Sequence, residues 1–195
     1  MSNRLPAAAR RRQLLDVAVA VFAVRGFHAT SMNDVAEAAG VTKPVLYQHF
    51  QSKRELYQAL LDEVGNRMLA AIRMATAGVS EGRRQTELGF RAYFRWVADD
   101  HAAFMLLYDS GTGLDEEFSK VRRGVTAAMV RAVAPLITAD IDDEHRLTVA
   151  HALVGLAEGA SRRLVEHGLD FDPDEVSRQV SELAWGGLRS VHRRS

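Results

Sequence analysis

The stretch Thr30–Lys53, TSMNDVAEAAGVTKPVLYQHFQSK, decides the fold. Ser31 stands where it can cap a short helix over residues 32–39, and Asp34 three places later completes a capping-box spacing. Gly40 ends that helix. After the four-residue turn Ala39-Gly40-Val41-Thr42, Thr42 is placed to cap a second short helix, with Pro44 tolerated in its first turn. Ser52-Lys53-Arg54-Glu55 is a further S-x-x-E start signal for a third. Two short helices joined by a short glycine-containing turn fit a helix-turn-helix, whose second helix must offer an exposed N-terminal end to a DNA major groove. Val35, Ala36, Leu46 and Phe50 can form the small core that fixes the crossing. That leaves Thr42, Lys43 and Pro44 at the leading end, Tyr47 and His49 further along, and Lys53 opening the next helix. A hydroxyl, a phenol, an imidazole and two ammonium groups on one rim suit phosphate oxygens.

Outward from this stretch the pattern is helical throughout. Upstream, Leu14, Ala18, Val21 and Phe22 recur at helical spacing over residues 8–25, and Gly26 supplies a stop. Downstream, a long helix runs from Lys53 to about Thr76, then a break over residues 76–82. Helices are predicted over 83–99, 102–108, 114–134 and 144–167, with a loop at 109–113. Asp172-Pro173-Asp174-Glu175 starts a last helix reaching about Arg193. The expectation is an all-α chain of nine helices: a helix-turn-helix head over residues 1–55 and a helical ligand-binding and dimerisation body over 56–195.

The 195 residues carry 25 basic and 25 acidic side chains, so total charge names no partner. Distribution says more. Residues 1–55 hold eight basic and four acidic groups. A basic head on an acidic body suits a polyanion, although ordinary fluctuation gives the same numbers. The hydrophobic share of 47% excludes wholesale disorder. With no cysteine, disulfide frameworks, thiolate zinc sites and cysteine nucleophiles are excluded. The longest uncharged run, Leu147–Ala157, is too short to cross a bilayer, and no leader-like segment follows the first residues. A cytoplasmic setting without membrane partners is expected.

At residues 30–53 the sequence closely resembles the DNA-binding signature of TetR-family transcriptional regulators. The small-residue cap, the glycine turn, Leu46-Tyr47-Gln48-His49-Phe50 and the following Lys53 all stand in register. The resemblance implies a homodimeric, ligand-responsive regulator of double-stranded operator DNA, usually a repressor. It implies base and phosphate contacts for Thr42, Lys43 and Pro44, and phosphate anchoring by Tyr47, His49 and Lys53. Ser31 matches the family's capping hydroxyl. Asn33 stands where the family often carries a longer basic reader, and Asn can bond adenine. Asn3-Arg4-Leu5-Pro6, Gln13-Leu14-Leu15, residues 43–50 and Ala184-Trp185-Gly186-Gly187-Leu188 are similar to actinobacterial regulators of fatty-acid synthesis. That likeness implies a long-chain acyl-CoA as the small-molecule effector.

Other features keep two readings. Arg10-Arg11-Arg12 could be an arm reaching DNA or a solvated first turn. Phe90, Phe94, Phe104, Met105 and Tyr108 could be core or the lining of an apolar pocket, with Gly89, Gly124, Gly155 and Gly159 leaving room. Val176, Val180, Leu183, Ala184, Gly187, Leu188 and Val191 make an apolar stripe, as do Leu153, Ala157, Ala160, Leu164 and Val165. Each could face a second copy or pack within its own subunit. Four histidines, at 101, 145, 151 and 167, lack metal-ligand spacing, so no metal or cofactor is expected. No Ser-His-Asp order, phosphate loop or paired inward carboxylate stands out, so the chain is not read as an enzyme. The alternative is a helical lipid carrier or enzyme without DNA activity.

Overall fold

The computed structural model describes residues 6–108, 116–166, 168 and 171–191. Those residues form nine α-helices and no strand: α1 Ala7–Ala29, α2 Met32–Ala38, α3 Lys43–Tyr47, α4 Lys53–Thr76, α5 Gly82–Asp99, α6 His101–Tyr108, α7 Glu116–Val133, α8 Asp143–Glu166 and α9 Pro173–Leu188. A short 3-10 turn, Ala134–Leu136, follows α7. The chain divides into two compact units. The described residues of Met1–Gly65 and Ala102–Arg122 make the first, and those of Asn66–His101 and Arg123–Ser195 the second.

In the first unit the core is built from residues at helical spacing. Leu14, Leu15, Ala18 and Phe22 of α1 are buried with Val35 of α2, Leu46 and Phe50 around α3, Leu56, Tyr57 and Leu60 of α4, and Phe104 of α6. Gly26 breaks α1 with φ 72°, so Phe27 turns inward before the chain reaches Ser31. Four rings then pack together: Tyr57 lies 5.0 Å from both Phe22 and Phe27, and Phe118 lies 4.7 Å from Phe27 and from Tyr57. The pairs of Tyr57 with Phe22 and of Phe118 with both rings are edge-on, the favoured geometry for aromatic quadrupoles.

The start signals are used unequally. At α2 the box is complete: Ser31 Oγ accepts from the Asp34 N–H at 3.2 Å, and Asp34 Oδ2 accepts from the Ser31 N–H at 2.8 Å. At α4 the Glu55 N–H donates to Ser52 Oγ at 3.1 Å, but the Glu55 carboxylate reaches one residue further back, to the Gln51 N–H at 2.7 Å. At α3 Thr42 holds the cap position with no side-chain cap bond. A capping hydroxyl normally serves the second or third N–H of the helix. Here Pro44 has none, and the Val45 N–H already bonds the Thr42 carbonyl at 3.0 Å.

The second unit centres on α5 packed along α9, with Phe94 and Val97 of α5 fully buried. The fit is close at the start of α5, where a Cβ on Gly82 would meet the Trp185 ring at 3.3 Å. At the start of α9, Asp172 caps the Asp174 N–H at 2.9 Å. Asp174 in turn takes paired bonds from two guanidinium groups, Arg91 at 2.9 and 3.0 Å and Arg95 at 2.9 and 2.8 Å. The helix ends earlier than expected, at Leu188. After the adjacent Gly186 and Gly187, the Ser190 and Val191 N–H groups turn back to the carbonyls of Gly187 and Leu188. The loop expected at 109–113 lies outside the described residues, as does Leu114 at the expected start of α7.

The hydrogen bonds of Arg91, then those of Arg95, hold the Asp174 carboxyl well below the usual carboxylate range. A depressed folded value means the stabilisation is present above the unfolded value, about 3.9, and fades as pH falls below it. Asp174→Asn is therefore expected to lower stability near neutral pH and to flatten the acid side of the stability curve. Urea denaturation of both proteins from pH 6 to about pH 3 checks this; parallel curves would contradict it.

Candidate nucleic-acid interface and effector cavity

The apolar side of the helix-turn-helix is closed. Val35, Leu46 and Phe50 have no exposure and Ala36 is buried. With Leu46 held inward, the opposite side of α3 must face out. Thr42, Lys43, Pro44 and Gln48 are exposed, Tyr47 keeps 43% of its surface in solvent, and His49 is half-buried with its ring 6.5 Å from Phe50. Asn33 is exposed on α2 beside Ser31. The structure thus brings Asn33, Thr42, Lys43, Pro44 and Tyr47 out on the motif's exposed side.

Ser31 is occupied by capping. Its Oγ also donates to Asp34 Oδ2 at 2.6 Å, and Arg25 pairs with Asp34 Oδ1 at 2.8 Å. The side-chain bond from Ser31, then its backbone bond, push the Asp34 carboxyl below its ordinary value. Lys53, expected as a phosphate anchor, bonds within its own chain in this structure. Its Nζ donates to the carbonyls of Phe27 and Thr30, both at 2.7 Å, and of His28 at 3.3 Å, and lies 4.5 Å over the Phe27 ring. Arg10, Arg11 and Arg12 lie within α1, so they are not an extended arm; Arg11 sits 4.9 Å over the Phe50 ring.

The second unit contains a cavity of about 600 Å³, its mouth included. Helix α5 supplies Gln85, Thr86, Gly89, Phe90 and Tyr93. Ile72 comes from α4, Met129 and Val133 from α7, Leu136 and Ile137 from the turn after it, and Leu153, Val154 and Ala157 from α8. Among the described residues no charged side chain lines it. Thr86 Oγ1 donates to the Gly82 carbonyl at 2.8 Å, and the Gln85 amide donates to the Val79 carbonyl. Gln85 Oε1 is buried with no protein donor in reach among the described residues. An apolar hollow with a few polar points can take up a largely hydrophobic molecule.

Of the expected pocket residues, only Phe90 lines this cavity. Phe94 lies behind it, its ring 6.3 Å from Phe90 and fully buried. Phe104, Met105 and Tyr108 belong to the first unit, where Phe104 packs 4.5 Å from Tyr108. Gly89 lines the cavity, and so do Leu153 and Ala157 of the α8 stripe, for which packing within the subunit is one of the two readings. The helical repeat of residues 85, 86, 89, 90 and 93 was the available signal. In the α9 stripe Leu183 is 66% exposed and Gly187 is exposed, Val180 and Leu188 are half-buried, and Ala184 is buried within its own chain. Leu164 of α8 is half-buried.

Two family models match this chain. "Bacterial regulatory proteins, tetR family" covers residues 14–60, and "Tetracyclin repressor-like, C-terminal domain" covers residues 83–187. The chain belongs to the TetR family. A TetR-family relative, the transcriptional activator FasR of Mycolicibacterium smegmatis, is 34% identical over 97% of this chain and 87% of its own length. The repressor KstR2 of Rhodococcus jostii is 27% identical over 94% and 93%. A TetR-like regulator from Rhodococcus sp. RHA1 matches in structure with a TM-score of 0.76 and 31% identity over 96% of this chain and all of that one. FadR of Bacillus subtilis, solved with stearoyl-CoA, shares the fold at TM-score 0.77 and 18% identity. This TetR-family chain is a DNA-binding transcriptional regulator. Among its described residues no helix is long and apolar enough to cross a membrane.

Because the α2 cap is made by side chains alone, Ser31→Ala is expected to cost about 1 kcal/mol of stability. Chemical denaturation checks this. An unchanged midpoint would mean the box contributes nothing to the motif.

Proposed function

We propose that this regulator binds a two-fold operator as a homodimer in the cytoplasm and is switched by a long-chain acyl-CoA held in the cavity of the second unit. The observation that carries the effector reading is that the described residues lining the cavity are all uncharged. A free fatty acid would bring its carboxylate into that wall unpaired, which costs several kcal/mol. An acyl thioester is uncharged where it meets the chain, and its phosphates can stay outside. Gln85 Oε1 offers an acceptor to an amide or hydroxyl donor of the ligand. The neighbour FadR of Bacillus subtilis, solved with stearoyl-CoA, supports the same class.

On the DNA side, Lys43, Thr42 and Pro44 enter the major groove, Asn33 reads from α2, and Tyr47 and His49 hold phosphates. A second copy places a second head about 34–36 Å away, matching successive major grooves. Exposed Leu183 and Gly187 on α9 suit the contact between copies. Because α4 supplies Ile72 to the cavity and opens beside the head, a ligand-dependent shift of α4 changes head spacing. Both an activator and a repressor stand among the relatives, so the proposal concerns the switch and not its direction.

Operator fragments selected from genomic DNA and followed by fluorescence anisotropy test this. Stearoyl-CoA is expected to shift operator affinity by about 5–150-fold, corresponding to a coupling of about 1–3 kcal/mol, with stearate far weaker. Gly89→Phe, which fills the cavity, should keep DNA binding and lose the response. Lys43→Ala should alter base preference. No response to acyl-CoA, or an equal response to stearate, would overturn the effector reading. For the dimer, Leu183→Glu is expected to yield monomers in analytical ultracentrifugation and to weaken operator binding; a dimer of unchanged affinity would move the interface elsewhere.

A further inference from the structure

Helix α1 ends with carbonyls that have no helical partner, as every α-helix does. Here they are gathered in one place. The kink at Gly26 turns residues 27–30, and the carbonyls of Phe27, His28 and Thr30 converge on a single ammonium, Lys53 Nζ, at 2.7, 3.3 and 2.7 Å. An ammonium has three N–H donors, and three carbonyls account for them. The negative end of the α1 dipole and the face of the Phe27 ring, 4.5 Å away, add attraction for a cation. Thr30 is buried, and its hydroxyl bonds back to the Gly26 carbonyl at 2.8 Å, which fixes the same corner from the other side.

The sequence between the two attachment points is the DNA-binding motif itself. Residues 31–52 run from the α2 cap through α3 to the start of α4, and Lys53 is the first residue of α4. We infer that Lys53 is a positioning residue for DNA binding: it closes the helix-turn-helix by tying the start of α4 to the end of α1, and it does not bond phosphate. To reach a phosphate, the ammonium would have to leave three carbonyls, two of them on buried residues, Phe27 and Thr30, with no replacement donor among the described residues. Lys43, exposed at the tip of α3, has no such engagement among the described residues.

The chain has only three lysines, at 43, 53 and 120, which makes chemical footprinting on the wild-type protein direct. Acetylation by acetic anhydride, read by peptide mass spectrometry on free and operator-bound protein, is expected to find Lys53 slow in both states. Lys43 should be fast when free and protected by DNA. Lys53 fast when free and protected by DNA would overturn the inference. Two variants add an energetic reading. Lys53→Met keeps the stem over Phe27, and Lys53→Arg keeps the charge but not an ammonium that three converging carbonyls can surround. Both are expected to weaken operator binding roughly ten- to a hundredfold with the slope of log affinity against log salt unchanged. A phosphate anchor behaves oppositely: Arg restores affinity, and Met flattens the slope by about 0.9. Either of those results, or wild-type affinity in Lys53→Met, overturns the positioning role.

Discussion

A five-residue helix has no stability of its own, because nucleation costs more than one turn of hydrogen bonds returns. Helix α3 exists only because Leu46 and the following Phe50 are taken out of water. The same burial decides which side of α3 faces out. Once Leu46 faces in, Lys43, Pro44, Tyr47 and Gln48 have nowhere to go but solvent. The recognition face is therefore the remainder left by the core, and its polarity is a condition of the fold as much as of DNA binding. The complete box at Ser31 and Asp34 and the Lys53 brace act on the two ends of this assembly, fixing where α2 begins and where α4 leaves.

The head was largely legible in the sequence because its signals are local. A capping box, a glycine turn and an i, i+4 apolar pair specify contacts within a few residues, and the structure repeats them at Ser31, Gly40, Leu46 and Phe50. Two details of the head were not legible, for physical reasons. Thr42 has the right residue type for a cap, but Pro44 removes one of the N–H groups it would serve. The carbonyls that take the Lys53 ammonium lie 23 to 26 positions earlier, where no spacing rule points.

The cavity was less legible for a different reason. Large aromatic side chains draw attention in a sequence, yet they are what fills space. Phe94 and Phe104 are core, fully buried. A hollow forms where helices present small or short groups toward one another, as Gly89 and Ala157 do. That depends on which turns of α5, α7 and α8 meet, which is a tertiary fact. The α8 stripe left two readings open for the same reason: Leu153 and Ala157 satisfy an apolar periodicity whether they face a second subunit or an internal cavity.

An uncharged cavity also limits how a switch can work. A regulator responds to a ligand only through the difference in binding free energy between its two states, not through total affinity. In an apolar lining that difference must come mainly from how much chain is buried, at about 0.8 kcal/mol for each methylene. A coupling of about 1–3 kcal/mol then requires the two states to differ by only about one to four buried methylenes. Such a margin is small against the length of a fatty chain. Short chains that fill the hollow equally in both states bind without effect, while a chain that fits only one state shifts the equilibrium. Selectivity for length thus follows from the chemistry of the wall, without any residue dedicated to measuring it.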